Sequence, residues 1–359
     1  MHSPNKSSGY RMIGLMSGTS LDGLDICYCF FQNINSKWQY YILAAETIKY
    51  PTHLINQLKE AHNYTAEEIT ALDFSYGKYL GEQVKRFVSE HGIEADYIAS
   101  HGHTVFHNPT QGYTLQIGKG AAIAAYSGIP CISDFRSGDV SRGGQGAPLV
   151  PIGDKMLFQE FDICLNLGGI ANISYDDNFS NRVAYDICVC NMMLNHLAGL
   201  TGNEYDFNGD LGRTGQVIKG MLQELENLEY YNQPSPKSLG REWFESYIMP
   251  ILNRYDAYPL NSQLRTAYEH ISGRIAHDCN SLKKTTMLAT GGGAKNVFLM
   301  ELIKQKTELK IVIPDSKTID YKEALIFAFL GVLYLLKEPG AIASVTGANN
   351  NSIAGCLYS

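Results

Sequence analysis

The chain has 359 residues, more than one hydrophobic core usually takes, and this length predicts two domains or two lobes. Hydrophobic residues make up 45% of the chain and charged residues 18%, a globular composition that excludes a largely disordered protein. The formal net charge of −7 argues against nucleic acid as the main ligand, because proteins that bind it need a basic surface.

Strand-like and helix-like stretches alternate through the first half of the chain. Strands are predicted at 12–15, 25–31, 40–48, 97–100, 113–117 and 131–135. Helices are predicted at 54–62, at 69–90 and from the end of the fifth strand through Tyr126. The first two strands are joined by small residues, which suggests a hairpin, and a glycine-rich irregular segment follows at 136–151.

The second half also mixes strands with helices. Strands are predicted at 163–167, 171–175, 183–188, 286–288 and 310–313. Helices are predicted from Asn191, from Asn296 and, as a long apolar segment, at 321–336; the helical region after Asn191 has breaks at 208–215 and 233–236. The pattern is typical of an α/β protein with glycine-rich turns after strands, where ligand loops form.

Targeting signals and metal motifs are missing from the sequence. The apolar run at 12–16 is too short for a signal core or a membrane span, and the eight cysteines include no CxxC pair. We therefore expect a reduced, soluble, cytoplasmic protein that binds neither membrane nor nucleic acid.

Two small-residue turns are candidate phosphate sites. The turn at 17–20 offers successive backbone N–H groups, and Asp22 and Asp25 follow it as possible Mg²⁺ ligands. A plain hairpin turn explains the same residues. The run at 291–293, between an apolar strand and a helix, is the second candidate. Neither GxxxxGK[ST] nor GxGxxG is present, so any nucleotide site has another architecture.

Several ionisable side chains stand out against their neighbours. His101, His103 and His107 have a spacing that could suit zinc, although no carboxylate or thiol nearby completes a ligand set, and a hydrogen-bonding loop is the simpler interpretation. Asp186 lies in an otherwise apolar strand, where a carboxylate needs a polar cleft or a ligand. Partial burial would raise its pKa and suit it to general-base catalysis; a structural hydrogen bond is the alternative.

A series of short segments, taken together, resembles the signature of the anhydro-N-acetylmuramic acid kinases. These segments are spread along nearly the whole chain, at 13–25, 101–105, 114–118, 134–136, 143–149, 166–172, 236–242, 291–294, 323–324 and 344–348. The resemblance implies a two-lobed, actin-like ATPase fold, with a mixed β-sheet flanked by helices in each lobe and a central cleft for nucleotide and sugar. We expect the first lobe at 1–127 plus 338–359 and the second at 128–337.

The resemblance also implies a reaction and a set of site residues. The enzyme would use ATP and Mg²⁺ to open the 1,6-anhydro ring hydrolytically and phosphorylate O6, giving N-acetylmuramic acid 6-phosphate for cell-wall recycling. Asp186 would be the catalytic base, with Asp134, Arg136 and Glu323 binding the sugar and Asp22 and Asp25 the metal. ATP would be bound by Gly18, Thr19, Ser20, Leu21, Asp22, Gly23, Leu24, Asp25, Gly168, Gly169, Gly291, Gly292 and Gly293.

One segment departs from the family pattern. The residues after Asp186 are Ile187, Cys188, Val189 and Cys190, where the family usually has Thr-Gly-Pro-Gly. A side chain where glycine is usual predicts a different backbone path beside the base. This leaves open a kinase of the same fold for another sugar, or a nucleotide-binding sensor or scaffold with impaired catalysis; a histidine-based metal hydrolase is more distant. We expect a homodimer whose small-molecule partners are ATP and a sugar.

Overall fold

A computed structural model describes residues 9–18 and 21–359, which fall into two compact units. The first unit contains the described residues up to Leu157 together with Tyr321–Ser359, and the second contains Phe158–Asp320. The strands are β1 (Tyr10–Ser17), β2 (Leu24–Ile34), β3 (Lys37–Ile48), β4 (Tyr97–Ser100), β5 (His103–Asn108), β6 (Tyr113–Ile117), β7 (Cys131–Ser133), β8 (Ile163–Leu167), β9 (Ile170–Asp176), β10 (Arg182–Val189), β11 (Thr286–Thr290), β12 (Lys310–Val312) and β13 (Cys356–Tyr358).

Helices connect and cover these strands. They are α1 (Thr52–Glu60), α2 (Ala66–His91), α3 (Gly120–Ser127), α4 (Ser137–Val140), α5 (Val150–Leu157), α6 (Asn191–Gly199), α7 (Asp210–Arg213), α8 (Lys219–Glu226), α9 (Arg241–Trp243), α10 (Met249–Arg254), α11 (Leu260–Ser281), α12 (Val297–Lys306), α13 (Ser316–Leu336) and α14 (Ala343–Thr346). The α/β class predicted from the sequence is confirmed. Within the described residues, no helix is long and apolar enough to cross a bilayer.

The first unit is built on a mixed sheet of order β13-β7-β4-β1-β2-β3. The predicted hairpin is present, because β1 and β2 pair antiparallel from Tyr10 opposite Phe31 to Ser17 opposite Leu24. Strand β4 then lies parallel to β1. Helix α2 covers this sheet and begins at a capping box, in which Thr65 and Glu68 exchange side-chain and backbone hydrogen bonds.

Helix α13 packs closely on the centre of that sheet. A Cβ atom at Gly14 in β1 would lie 1.9 Å from the backbone oxygen of Ala324, so only glycine allows the approach. The helix has a kink at Tyr321, where φ is −114°. The chain therefore re-enters the first unit at the kink, just before the contact of Ala324 with β1.

The second unit is built on a mixed sheet of order β10-β9-β8-β11-β12. Strands β8, β9 and β10 form an antiparallel meander, and β11 lies parallel to both β8 and β12. Helix α11 supplies an apolar face to the core of this unit, through Leu264, Ile271 and Ile275. Each unit thus has a mixed sheet flanked by helices, as predicted.

The unit boundaries differ from the predicted lobe boundaries at both points where the chain passes from one unit to the other. Residues 128–157 belong to the first unit because β7 pairs with β4 and β13 in its sheet. Residues 321–337 belong there because α13 packs on β1. Locally, the predicted irregular segment at 136–151 contains α4 and the start of α5, and β5 is a strand that the sequence patterns did not indicate.

Candidate functional site

Asp186 lies on β10, the edge strand of the second sheet, and is held by a segment distant in sequence. Its Oδ2 accepts a hydrogen bond of 2.8 Å from the Leu239 N–H. Its own N–H donates to Lys237 O at 3.1 Å, and its backbone oxygen accepts from the Tyr230 hydroxyl at 2.7 Å. Among the described residues, no donor reaches Oδ1. This leaves one carboxylate oxygen available to a ligand.

The electrostatic surroundings of Asp186 favour proton uptake. Burial raises the pKa of its carboxyl, while the Leu239 N–H acts in the opposite direction. No cation of the described residues forms an ion pair with it, so the net shift is upward. A half-buried carboxylate with a raised pKa and one available oxygen is suited to act as a general base.

The segment after Asp186 takes an extended path without left-handed residues. Strand β10 continues through Val189, with a bulge between Asp186 and Cys188. All four side chains that depart from the family pattern are buried: Ile187, Cys188, Val189 and Cys190. Burial also raises the pKa of both thiols. The bulk introduced by this departure therefore packs into the core of the second unit.

Gly168 and Gly169 form the tight turn between β8 and β9. Their backbone oxygens accept hydrogen bonds from the N–H groups of Cys190, Asn191 and Met192, at 2.8–3.1 Å. A Cβ atom at Gly169 would have Met192 Cε, 3.7 Å away, as its nearest neighbour. The two glycines therefore meet neighbouring atoms only at ordinary van der Waals distances, and their lack of side chains suits close approach of a phosphate.

The glycine run at 291–293 packs against the same strand end. Gly291 has φ of +80°, and a Cβ atom there would lie 2.6 Å from Asn166 Oδ1. Gly292 is open, since its added Cβ would approach only Asn191 Nδ2, at 3.8 Å. The fold thus requires glycine at 291, whereas at 292 glycine keeps a surface clear.

A cavity of about 320 Å³ lies in the second unit beside this run. Its volume falls within the range of small-ligand pockets, about 300–1,000 Å³. Part of its lining is aromatic, with Tyr205 and Phe207 exposed to 55% and 64%. Asn195 and Asn208 add amide groups. Flat rings beside amides can bind a heteroaromatic base by stacking and hydrogen bonding.

The predicted phosphate loop of the first unit lies between β1 and β2. Leu21 N donates to Gly18 O at 3.3 Å, and Leu21 is left-handed with φ of 60°. Thr19 and Ser20 lie outside the described residues. Asp22 is exposed, while Asp25 begins β2 with Leu24 and accepts a hydrogen bond of 2.6 Å from Thr47. Carboxylate oxygens at Asp22 and Asp25 suit a hard cation such as Mg²⁺.

In the first unit, the Arg136 guanidinium forms hydrogen bonds with an uncharged His101 imidazole. Arg136 Nε and Nη2 lie 3.0 and 2.9 Å from His101 Nε2, and Nη1 donates to Gly146 O at 2.7 Å. Because Nε2 accepts, the imidazole proton lies on Nδ1, 2.8 Å from Gly102 O. Burial and the Arg136 charge lower the pKa of His101 to about 3. His101 is therefore an uncharged support for the guanidinium.

Glu323 joins this cluster from α13. Its side chain is open to solvent, yet the dense surrounding protein raises its pKa, with Lys322 and Arg136 acting in the opposite direction and Asp25 in the same one. The first unit therefore brings Asp25, Arg136 and Glu323 within electrostatic reach of one another. Asp134 has φ of 60° and accepts from Ser137 N at 3.3 Å; no contact joins it to that cluster.

Two features of the first unit were not found by reasoning from the sequence. Asp139 is buried and accepts from Gly146 N and Thr346 Oγ1, both at 2.8 Å, so it joins the 143–149 and 344–348 segments. Lys322 forms a buried ion pair with Asp154 at 2.8 Å, next to Glu323. A carboxylate beside glycines was a visible signal for Asp139, whereas nothing in the sequence pairs residues 154 and 322.

The histidines do not converge on a metal. His101 is engaged with Arg136, and His107 Nδ1 lies 3.0 Å from Thr114 Oγ1. Throughout residues 9–18 and 21–359, no group of three or more His, Cys, Asp or Glu side chains is arranged to hold a metal ion. His101 and His107 thus form hydrogen bonds, whereas the buried His103 Nδ1 has no hydrogen-bond partner among the described residues.

Comparisons with known proteins point to one family. The family model described as anhydro-N-acetylmuramic acid kinase matches residues 10–359. The anhydro-N-acetylmuramic acid kinase of Francisella tularensis subsp. novicida (strain U112) is 34% identical, over 96% of this chain and 97% of its own. The protein of the same name from Coxiella burnetii (strain Dugway 5J108-111) is 33% identical, over 97% of both chains.

A third relative belongs to the same family, and one solved structure is similar in fold to a small extent. The anhydro-N-acetylmuramic acid kinase of Actinobacillus pleuropneumoniae serotype 7 (strain AP76) is 32% identical, over 96% of this chain and 98% of its own. The Acidaminococcus fermentans (R)-2-hydroxyglutaryl-CoA dehydratase component A covers 89% of this chain and 96% of its own, at 12% identity and a TM-score of 0.45. That structural likeness is too weak to decide anything about this chain.

Proposed function

Because the chain belongs to the anhydro-N-acetylmuramic acid kinase family, we propose that it is an ATP-dependent kinase acting on 1,6-anhydro-N-acetylmuramic acid. The reaction would open the anhydro ring with water and place the γ-phosphoryl group of ATP on O6. The product would be N-acetylmuramic acid 6-phosphate, an intermediate of cell-wall recycling. The observation that carries this proposal is the setting of Asp186, a half-buried carboxylate with one oxygen available and a raised pKa.

The proposed bond changes balance as follows. Asp186 takes a proton from water, whose oxygen bonds to the anomeric carbon while the bond from that carbon to O6 breaks. O6 then bonds to the γ-phosphorus, and the bond to the bridging oxygen breaks, so that ADP leaves. A raised pKa makes the carboxylate a stronger base towards water than an ordinary aspartate is.

We assign the nucleotide to the open turns. Gly168 and Gly169 would lie against phosphate, because their lack of side chains suits close approach. Gly291, Gly292 and Gly293 would lie against the adenosine, since the cavity beside them has a suitable volume and aromatic lining. The loop from Gly18 to Asp25 would be the other phosphate loop.

We assign sugar binding to Asp134, Arg136 and Glu323. Arg136 is held by His101 and Gly146 in a fixed orientation, which suits a guanidinium that must bind a polar substrate at low entropic cost. Asp22 and Asp25 would hold Mg²⁺, which when bound offsets charge on the phosphoryl oxygens. We also propose that the protein works in the cytoplasm as a homodimer.

The test is Asp186→Asn, which keeps the side-chain volume and removes the base. With ATP, Mg²⁺ and anhydro-N-acetylmuramic acid, we expect kcat to fall by about 10²–10⁴-fold, the usual contribution of a general base. Phosphosugar is quantified by mass spectrometry, and ATP binding, measured by calorimetry, is expected to stay unchanged. Asp256→Asn, at an exposed position of the same unit, is the matched control. Full turnover by Asp186→Asn would remove Asp186 from this role.

The alternative functions give different results in the same assay. A kinase for another sugar would leave anhydro-N-acetylmuramic acid unchanged and form a phosphosugar from a different member of a sugar panel. A sensor or scaffold would bind ATP and form no phosphosugar with any of them. The buried side chains at 187–190 face the core, which favours neither alternative.

A further inference from the structure

The edge of β10 at Asp186 is covered by residues 230–239, which we call the strap. Asp186 pairs with Asn172 of β9 on one side. Its N–H and C=O both point to the other side, towards Lys237 O and the Tyr230 hydroxyl. The Leu239 N–H of the strap reaches Oδ2 as well. The strap therefore contacts Asp186 through three hydrogen bonds.

Lys237 is the side chain that fastens the strap. Its Nζ lies 4.7 Å from the ring centroid of Tyr230 and 5.8 Å from that of Tyr185. It also donates to Tyr230 O at 3.3 Å. The ammonium thus joins both ends of the strap and attaches them to the strand that carries Asp186. Residues 232–236 and Ser238 are exposed, whereas Tyr230 and Tyr231 are buried in the core of the second unit. Lys237 therefore connects the exposed part of the strap to its buried end.

We propose that Lys237 is a positioning residue for the reaction: its ammonium, held over Tyr230 and Tyr185, keeps the Leu239 N–H on Asp186 Oδ2 and leaves Oδ1 aimed at the substrate. This inference rests on the proposed function. It assigns a role to a motif that the substrate and nucleotide residues do not explain.

The chemistry at Lys237 is unusual for a residue that only packs. No carboxylate of the described residues lies within 4.0 Å of its Nζ, and burial lowers its pKa. An apolar side chain would fill the same space between the rings without desolvating a charge. Cation–π attraction offsets part of that penalty and fixes the ammonium over the two rings.

The charged and titratable groups around Asp186 determine how its pKa responds. Burial raises this pKa and the Leu239 N–H lowers it. If the Leu239 N–H moves off Oδ2 while the strap still covers the carboxylate, burial remains, the lowering contribution is lost and the pKa of Asp186 rises further. A base must be ionised, so the acid limb of the rate profile would move to higher pH. The other titratable groups at this place are Tyr185, Cys188, Tyr230, Lys237, Arg274 and Asp278.

The experiment compares Lys237→Met with Lys237→Arg in the full-length protein. We expect Lys237→Met to lower kcat between about tenfold and a hundredfold, the scale of a misplacement of roughly one ångström. KM for ATP should stay unchanged, and the acid limb of kcat should move up by about one pH unit. Lys237→Arg keeps a cation over the rings and should restore most of both. Lys219→Met, on an exposed turn of α8, is the control.

Hydrogen exchange gives a readout that does not depend on catalysis. The Leu239 amide should exchange about tenfold faster in Lys237→Met than in wild type, and at the wild-type rate in Lys237→Arg. Tyr230→Phe removes only the hydroxyl from Asp186 O and should shift the acid limb in the same direction. It replaces Lys237→Met if that variant does not fold.

The outcomes separate the two proposals. Wild-type exchange at Leu239 together with an unmoved acid limb in Lys237→Met overturns the positioning role, even if kcat falls. If wild type makes no phosphosugar while Leu239 exchange responds as expected, the proposed function fails and the strap assignment stands.

Discussion

The cluster around Glu323 in the first unit and the surroundings of Asp186 in the second differ in the charges that act on their carboxyl groups. The dense surrounding protein raises the pKa of Glu323, and the full charges of Lys322, Asp25 and Arg136 also act on it. Among the described residues, the Asp186 carboxylate has one hydrogen-bond partner, the Leu239 N–H, and burial decides the direction of its pKa shift. The first arrangement suits binding of a polar ligand, and the second suits exchange of a proton.

This difference has a physical reason. Cations near a desolvated carboxylate lower its pKa and offset part of the effect of desolvation, so they favour the ionised form that binds polar ligands. A carboxylate without a cation can accept a proton more readily, at some expense of stability. The two carboxylate environments lie in separate units, so substitutions in each unit should have distinguishable effects.

The largest effect is expected where the charges of the first unit are buried. Asp154→Asn removes the carboxylate that lies 2.8 Å from Lys322, with both side chains about 6% exposed. Breaking a buried pair by removing one partner destabilises a protein by about 3–5 kcal/mol. Urea unfolding followed by tryptophan fluorescence and by hydrogen exchange in α5 and α13 would measure this loss.

Two other variants sharpen the same comparison. Glu82→Gln breaks the exposed pair with Lys78 and should leave stability unchanged. Asp186→Asn should not destabilise the second unit and should slightly stabilise it at neutral pH, because the fold disfavours its ionised form. Wild-type stability in Asp154→Asn would contradict the importance of ion pairing in the first unit.

Two glycines of the second unit should respond differently to the same substitution. Gly291→Ala places a Cβ atom at φ of +80° and 2.6 Å from Asn166 Oδ1, with an expected loss of about 1–3 kcal/mol. Gly169→Ala meets no atom closer than 3.7 Å and should leave Tm unchanged. It should raise KM for ATP if phosphate lies over this turn. Equal Tm values for the two variants would refute the packing argument.

Stability at acidic pH depends on the protonation of His101. The pKa of His101 is about 3 in the folded protein, against an ordinary value near 6.5, so the unfolded chain binds the proton first. Stability contributed by neutral His101 is full above pH 6.5 and is lost progressively as the pH falls towards 3. The slope is about 1.4 kcal/mol per pH unit for one proton.

His101→Gln tests this contribution, since an amide oxygen can still accept from Arg136. Between pH 6 and pH 4, the free energy of unfolding of the variant should fall less steeply with decreasing pH, by the contribution of about one proton. Urea unfolding at each pH measures this slope. His103, with a pKa lowered by burial to about 4, contributes in the same direction and remains in the variant. Asp186 contributes with the opposite sign. An unchanged slope in His101→Gln would show that His101 is not buried in its neutral form.

Local features of this chain were predictable from the order of its residues. The β1–β2 hairpin follows from two apolar runs around a small-residue turn, and the long α2 follows from apolar residues at helical spacing. Asp186 was identifiable as the polar exception in an apolar strand. Strand β5 was missed because its two apolar residues, Val105 and Phe106, are adjacent and the strand is mostly half-buried, so it shows no alternation. The lobe boundaries were missed because β7 and α13 join the first sheet only through contacts distant in sequence.

By itself, then, the amino-acid sequence determined the α/β class, the positions of most strands and helices, and the family, because these depend on local periodicity and on short motifs. Only the tertiary structure decided which oxygen of Asp186 accepts a hydrogen bond and which ring nitrogen of His101 carries the proton. It also decided that Lys322 pairs with Asp154. Those properties arise from burial and from partners distant in sequence, as in the Arg136 bond to His101 across 35 residues and the Tyr230 bond to Asp186 across 44 residues. Charge and hydrogen bonding act through space, and only the folded chain defines those distances.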